Sequence, residues 1–300
     1  DKAEIDLEPQ IDLYDQRVYE QAARALQKMI ADGVLREEAK PCYYVYRQIM
    51  GERAQTGLVA CAAIDDYLHN KIKKHELTRA DKEIDRTRHV DYCDANTGPI
   101  FLTYPAQTDI NTTVAAWMTR VPIYDFTSED GIRHIIWVID DDAVLKRLTD
   151  LFAEIETLYI ADGHHRSASA VKVGQMRRET YPDYSGSEEY NCFLAVLFPD
   201  QDLYIMDYNR VVKDLAGLSP DEFLTRVGEK FLVSPFEGTG PYKPHDKHWF
   251  GMYLGGRWYC LHARENSYDP QDPVGRLDVS IMQDNILGPI LGIQDPRTDK

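Results

Sequence analysis

Apolar residues at Val18, Ala22, Ala25, Leu26 and Met29 follow the three-and-four spacing of one helical face, and Asp32-Gly33 then supplies a stop. This pattern predicts an amphipathic helix over 14–30. The period then shortens. Tyr43-Tyr44-Val45-Tyr46 and Leu58-Val59-Ala60-Cys61-Ala62 are aromatic or β-rich runs with Gly51 and Gly57 between them, which predicts a hairpin or neighbouring strands. Thr78-Arg79-Ala80-Asp81 has the form of an N-cap with an acidic third residue, and a helix should follow towards 95, ending before Gly98-Pro99. A strand is predicted over 100–104. The runs 123–126 and 132–139 flank Glu129-Asp130-Gly131 as a second hairpin, and a helix over 142–154 comes next.

The run 157–161 is short and apolar, a strand, and a helix with small residues is predicted over 167–178; the turn Asp162-Gly163-His164-His165-Arg166 lies between them. Further on, 192–198 and 203–206 bracket Pro199-Asp200-Gln201-Asp202 as another hairpin. Ser219-Pro220-Asp221-Glu222 is a capping box opening a helix to about 229. Gly255-Gly256 turns a hairpin of 249–254 and 257–261, and a last helix begins near Asp278 with Ile281, Met282, Ile286 and Leu287 on it. Hairpins and helices interspersed in this way imply an α+β fold, mixed sheets with flanking helices. The polar stretch 182–189 reads as a linker, giving lobes 1–186 and 187–300, although eight residues also suit a surface loop within one domain.

Composition narrows the function. A 300-residue chain that is 43% hydrophobic can bury a sizeable core. Its 50 acidic against 34 basic residues give a net charge of -16, which disfavours nucleic acid as a partner. No run approaches the roughly 18 apolar residues of a membrane span, and no leader-like segment opens the chain, so a soluble cytoplasmic protein is expected. Five scattered cysteines without a Cys-x-x-Cys pair are expected to be mostly reduced and buried. The chain begins at Asp1 without a methionine and ends in a polar tail, which suggests part of a longer product. Oligomeric state is left open.

The chemistry concentrates at the 162–166 turn. The first amides of a helix lack internal acceptors and carry partial positive charge, so an anion fits a strand-to-helix junction. The dipole contributes only about 0.3–1 kcal/mol against the roughly 8 kcal/mol of micromolar binding, so side chains must supply much of the rest. Gly163 allows positive φ and close approach, Arg166 offers a bidentate fork, and Asp162 can orient a histidine or hold Mg²⁺ bridging to phosphates. The plain alternative is a capped turn with Arg166 in a structural ion pair and both histidines solvated. Adjacent His164 and His165 diverge too far to grip one zinc ion. A second cluster, Lys71-Ile72-Lys73-Lys74-His75-Glu76-Leu77-Thr78, carries lysines to draw in an anion. Glu76 in it is suited to accept a proton, and Thr78 to meet a second anion; the alternative is a solvated charge run with Thr78 as a plain cap. Tyr208-Asn209-Arg210 offers a weaker third set of donors.

Several motifs in the same order resemble one family. Tyr43-Tyr44-Val45-Tyr46-Arg47-Gln48, Lys74-His75-Glu76 with Thr78 and then Asp85-Arg86, Ile160 through Arg166, Asn209-Arg210-Val211-Val212 and Asp278-Val279-Ser280-Ile281 look like domain-of-unknown-function family 1015 over nearly the whole chain. The Gly163-to-Arg166 element also resembles, more distantly, the phosphate-binding Gly-x-x-Arg turn of the ParB and sulfiredoxin-like superfamily, which includes nucleotide-hydrolysing partition proteins and a free-serine kinase. That likeness implies a ParB-like core with Glu76 as base and His164, His165 and Arg166 as phosphate binders. Joined to the reading of the residues, the expected site has Glu76 and His165 as catalytic residues and Gly163, His164, Arg166, Thr78 and Arg210 as phosphate or nucleotide binders. Asp162 is the expected Mg²⁺ ligand on its own chemistry, and a nucleotide (ADP, ATP or CTP) is the expected substrate or ligand. The expectation is therefore a small-molecule kinase or nucleotidase. Its alternative is a non-catalytic regulator that binds a nucleotide or phosphorylated metabolite.

Overall fold

A computed structural model of the chain describes residues 6–8, 10–76, 80–295 and 299. It divides into two compact units, Asp1–Ile205 and Met206–Lys300, and its strands and helices form a mixed α+β fold. In the first unit the chain runs α1 (Gln16–Ala31), β1 (Tyr43–Met50), β2 (Arg53–Ala63), α2 (Ile64–Leu68), β3 (Ile72–Lys73), α3 (Ala80–Cys93) and β4 (Ile100–Tyr104). It continues through α4 (Thr108–Trp117), β5 (Tyr124–Thr127), β6 (Arg133–Ile139), α5 (Asp142–Ala153), β7 (Leu158–Asp162), α6 (His164–Thr180) and β8 (Cys192–Pro199).

The eight strands make one sheet in the order β3-β7-β4-β8-β2-β1-β6-β5. β3 runs parallel to β7 and β4 parallel to β8, while the remaining pairs are antiparallel. Alternation explains which face is buried. Ile135, Trp137 and Ile139 of β6, with Val45, Leu58, Leu102, Ile160 and Phe193, form the core, and Trp117 and Leu148 from α4 and α5 pack with them. Gly57 separates no strands. It lies inside β2, where a Cβ would come within 2.8 Å of the Phe198 ring, so it marks a close approach. The β1–β2 turn falls at Gly51, φ +60, between the paired Met50 and Arg53.

Several expectations shift for physical reasons. The division falls at Ile205/Met206 and not after 186, because β8 inserts between β4 and β2 and so completes the first unit's sheet. Residues 203–206 form no strand. The chain is instead pinned where it leaves β8: the Asp202 carboxylate accepts from the Thr56 N–H at 3.0 Å and the Leu203 carbonyl accepts from Arg53 at 2.7 Å. α4 lies in a polar, proline-preceded stretch whose deep apolar anchors are Ile110 and Trp117, too few to show a helical period. Of the five thiols only Cys93 is buried, and Cys61 is exposed.

The second unit contains α7 (Pro220–Gly228), β9 (Phe231–Pro235), β10 (Trp249–Leu254), β11 (Arg257–Ala263) and α8 (Asp278–Met282), which continues into a π-helical turn at Gln283–Leu287. Its antiparallel sheet, order β10-β11-β9, packs Phe231 and Leu261 against Phe223, Val227 and Ile281. The Ser219–Glu222 capping box is formed, and Gly255 and Gly256 both take positive φ at the hairpin turn. Among the described residues no helix is long and apolar enough to cross a membrane.

Candidate functional site

β7 ends at the 162–166 turn in an irregular way. Phe101 of β4 pairs with Asp162 and the next residue, Leu102, pairs with Ile160, so Ala161 is an extra residue on β7. Such a bulge bends a strand and re-aims its end. Gly163 then takes φ +100 as the N-cap of α6, and no side chain among the described residues caps the helix. α6 therefore begins at His164, three residues before its sequence-predicted start, and His164, His165 and Arg166 form its first turn. The helix is held in place from both ends. Ser169 donates to the Glu83 carbonyl of α3 at 3.2 Å, and Arg178 grips the Asp65 carboxylate with two bonds of 2.7 and 2.9 Å.

The turn opens onto a cleft of about 1290 Å³. This exceeds the roughly 300–1,000 Å³ of a usual ligand pocket. Leu26, Met29 and Ile30 of α1 form an apolar side, α3 forms a second wall, and the loop at 95–98 with the head of α6 closes the polar end. Tyr19 fixes α1 to α3 through a 2.8 Å bond to Asp85. Among the described residues that line the cleft, four are basic and four acidic. Among the described residues that line it there is no Phe, Tyr or Trp.

Glu76, predicted from a separate motif, reaches this same cleft. Its Oε2 lies 3.6 Å from Nδ1 of His164. The His75 backbone N–H donates to His164 Nε2 at 3.5 Å, which assigns the ring proton to Nδ1, facing the carboxylate. The His75 ring stands edge-on to His164, with centroids 4.3 Å apart at 83°. The His164 side chain is 4% exposed against 58% for Glu76. Burial, then the neighbouring His75, pushes the His164 pKa below the usual imidazole value, with Glu76 opposing. His164 is thus a neutral, buried ring turned towards Glu76. Both ring nitrogens of His164, read from the sequence as a phosphate donor, face protein groups.

Arg166 is engaged. Its Nη2 donates to Asp162 at 2.5 Å, and its guanidinium lies over two glycines: a Cβ on Gly163 would meet Nε at 3.1 Å, and one on Gly98 would meet Nη1 at 3.4 Å. The structural ion pair weighed as the alternative therefore exists. With the side chains 38% and 72% exposed, it stabilises by only about 0–1 kcal/mol, and a phosphate could displace it. His165 lines the cleft. Thr78 lies outside the described residues. Arg210 belongs to the second unit, where its guanidinium sits 4.5 Å from the Tyr208 ring centre.

His75 was named from sequence only as a member of the 71–78 cluster, with no role of its own. His89 was not singled out; its Nε2 lies 3.2 Å from Thr97 Oγ1 and 3.9 Å from Cys93 Sγ in the cleft wall. The four-residue spacing of His89 and Cys93 on one helix face was the available signal. Among the described residues no group of three or more His, Cys, Asp or Glu is placed to hold a metal ion by itself.

Fold and site together define a mixed α+β protein whose larger unit carries a polar-ended cleft with a carboxylate and a buried imidazole side by side. The chain belongs to the family described as Protein of unknown function (DUF1015), whose model matches residues 1–280. No curated protein and no solved structure matches the chain. Neither comparison supports the likeness to ParB and sulfiredoxin-like proteins, which rests on Gly163 to Arg166 and, more loosely, Glu76.

Proposed function

We propose that the cleft binds a small phosphorylated ligand, a nucleotide included, at the head of α6, and that Glu76 serves there as general base for phosphoryl transfer or hydrolysis. The observation that carries this reading is the meeting of two separately recognised motifs, Glu76 standing 3.6 Å from His164 at the first turn of α6. An exposed carboxylate beside the phosphate position is suited to take the proton of an attacking hydroxyl or water. His164, neutral and buried, turns Nδ1 towards that carboxylate. The ligand's phosphate would draw Arg166 away from Asp162 into a bidentate contact. The released Asp162 carboxylate would then fit Mg²⁺, which one or two carboxylates and substrate phosphates commonly hold; the metal would neutralise developing charge.

Glu76→Gln tests the assignment. Incubation with ADP, ATP and CTP and Mg²⁺, read as phosphate release or transfer, should show turnover in the parent and a loss of at least about 100-fold in the variant, with binding retained. Equal turnover in both would remove Glu76 as base. The Arg166–Asp162 pair favours a second reading, a non-catalytic regulator in which ligand binding breaks the pair and signals through it. That reading predicts binding with no turnover in either protein.

A further inference from the structure

Away from the cleft, two thiols stand on neighbouring strands. In the β2–β8 ladder Ala63 pairs with Cys192 and Cys61 pairs with Leu194. Cys61 is two residues from Ala63, so Cys61 and Cys192 project from the same face of the sheet as diagonal neighbours. Cys61 is exposed and Cys192 half-buried, and both are free. The two thiols interact electrostatically, and the Cys192 thiol donates to the Glu189 carbonyl at 3.2 Å.

We propose that Cys61 and Cys192 are a redox pair that closes to a disulfide on exposure to a peroxide and reopens with a small thiol. In the first step the Cys61 thiolate attacks one peroxide oxygen. The O–O bond breaks, hydroxide leaves, and Cys61 becomes a sulfenic acid. Cys192 sulfur then attacks the Cys61 sulfur, the S–O bond breaks, and water departs with the Cys192 proton. Two thiols and one hydrogen peroxide give one disulfide and two waters. Contact with the Cys192 thiol draws the Cys61 pKa down to about 7, against the desolvation that opposes it, so Cys61 is the attacking partner and Cys192 the resolving one.

Diagonal strand positions lie near the outer limit of disulfide geometry, so closing the bond pulls the start of β8 towards β2. Bridges formed under such constraint are the readily reduced, regulatory kind. The pull has a route to the cleft. Asn96 Nδ2 donates to the Cys192 carbonyl at 3.5 Å, and Asn96 and Gly98 line the cleft, with Gly98 beneath Arg166.

The test is thiol counting on the intact protein. After hydrogen peroxide, denaturation with N-ethylmaleimide should label three of the five cysteines, and peptide mass spectrometry should find Cys61 joined to Cys192. Dithiothreitol should restore all five. Cys192→Ala should accumulate a Cys61 sulfenic acid that dimedone traps, and its Cys61 alkylation rate should lose the half-maximum near pH 7 and move towards the ordinary thiol value, about 8.5. Five labelled thiols after peroxide, or a bridge between any other pair or between two chains, overturns the proposal.

Discussion

Replacing Gly163 by alanine isolates the backbone feature on which the α6 head depends. At φ +100 an L side chain is strained, which costs about 1–3 kcal/mol, and the lower entropy of the unfolded alanine chain returns only about 0.4–1 kcal/mol. The new Cβ also meets the Arg166 guanidinium at 3.1 Å. That group ends a flexible side chain and can move, losing an exposed ion pair worth about 0–1 kcal/mol. The net expectation is a loss of about 1–3 kcal/mol. Gly131 provides the control: it has φ +81, and an added Cβ would meet nothing within 4 Å. Gly131→Ala therefore carries the strain without the displacement and should cost up to about 1 kcal/mol less. Urea unfolding of the first unit, followed through Trp117 and Trp137 with Trp249 and Trp258 replaced by Phe, reads both changes. An unchanged or raised midpoint for Gly163→Ala, the usual result for a glycine inside a regular helix, would show that the turn does not depend on a left-handed residue.

Asp162→Asn should change stability by less than about 1 kcal/mol and tighten the binding of inorganic phosphate, since it frees Arg166; calorimetric titration without Mg²⁺ that shows weaker binding would contradict this. Acidification should destabilise the first unit through His164 and His89, both held below the usual value of 6.5, mainly by burial. The unfolded chain takes up these protons first, so their contribution is full above pH 6.5 and is lost as pH falls below it towards the folded values. His164→Asn should flatten the urea midpoint between about pH 7 and 5.5, and an undiminished slope would exclude His164 as a source.

Local pattern carried the long and strongly periodic elements: α1 with its Asp32-Gly33 stop, the β5–β6 and β10–β11 hairpins, and the Ser219–Glu222 cap were all legible. The features that escaped depend on partners distant in sequence. Gly57 reads as punctuation until Phe198 is seen against it. β8 reads as the start of a second lobe until it is found between β4 and β2, a pairing that no neighbouring residue announces. The site divides in the same way. Gly163 and the first-turn donors are a local signature, whereas the approach of Glu76 to His164 is made by the sheet and by α3 packing on α6. The side-chain state of Arg166 was the least legible, because an exposed pair is decided by small energies.

Amide spectra of the labelled protein during titration with inorganic phosphate show whether the head of α6 is an anion site. Saturable shifts are expected at the backbone amides of His164, His165 and Arg166. Arg166→Ala should weaken binding about 10-fold or more, the worth of a charge-assisted contact of roughly 1.5–3 kcal/mol. Silence at those three amides, or equal affinity in the variant, would contradict anion binding there.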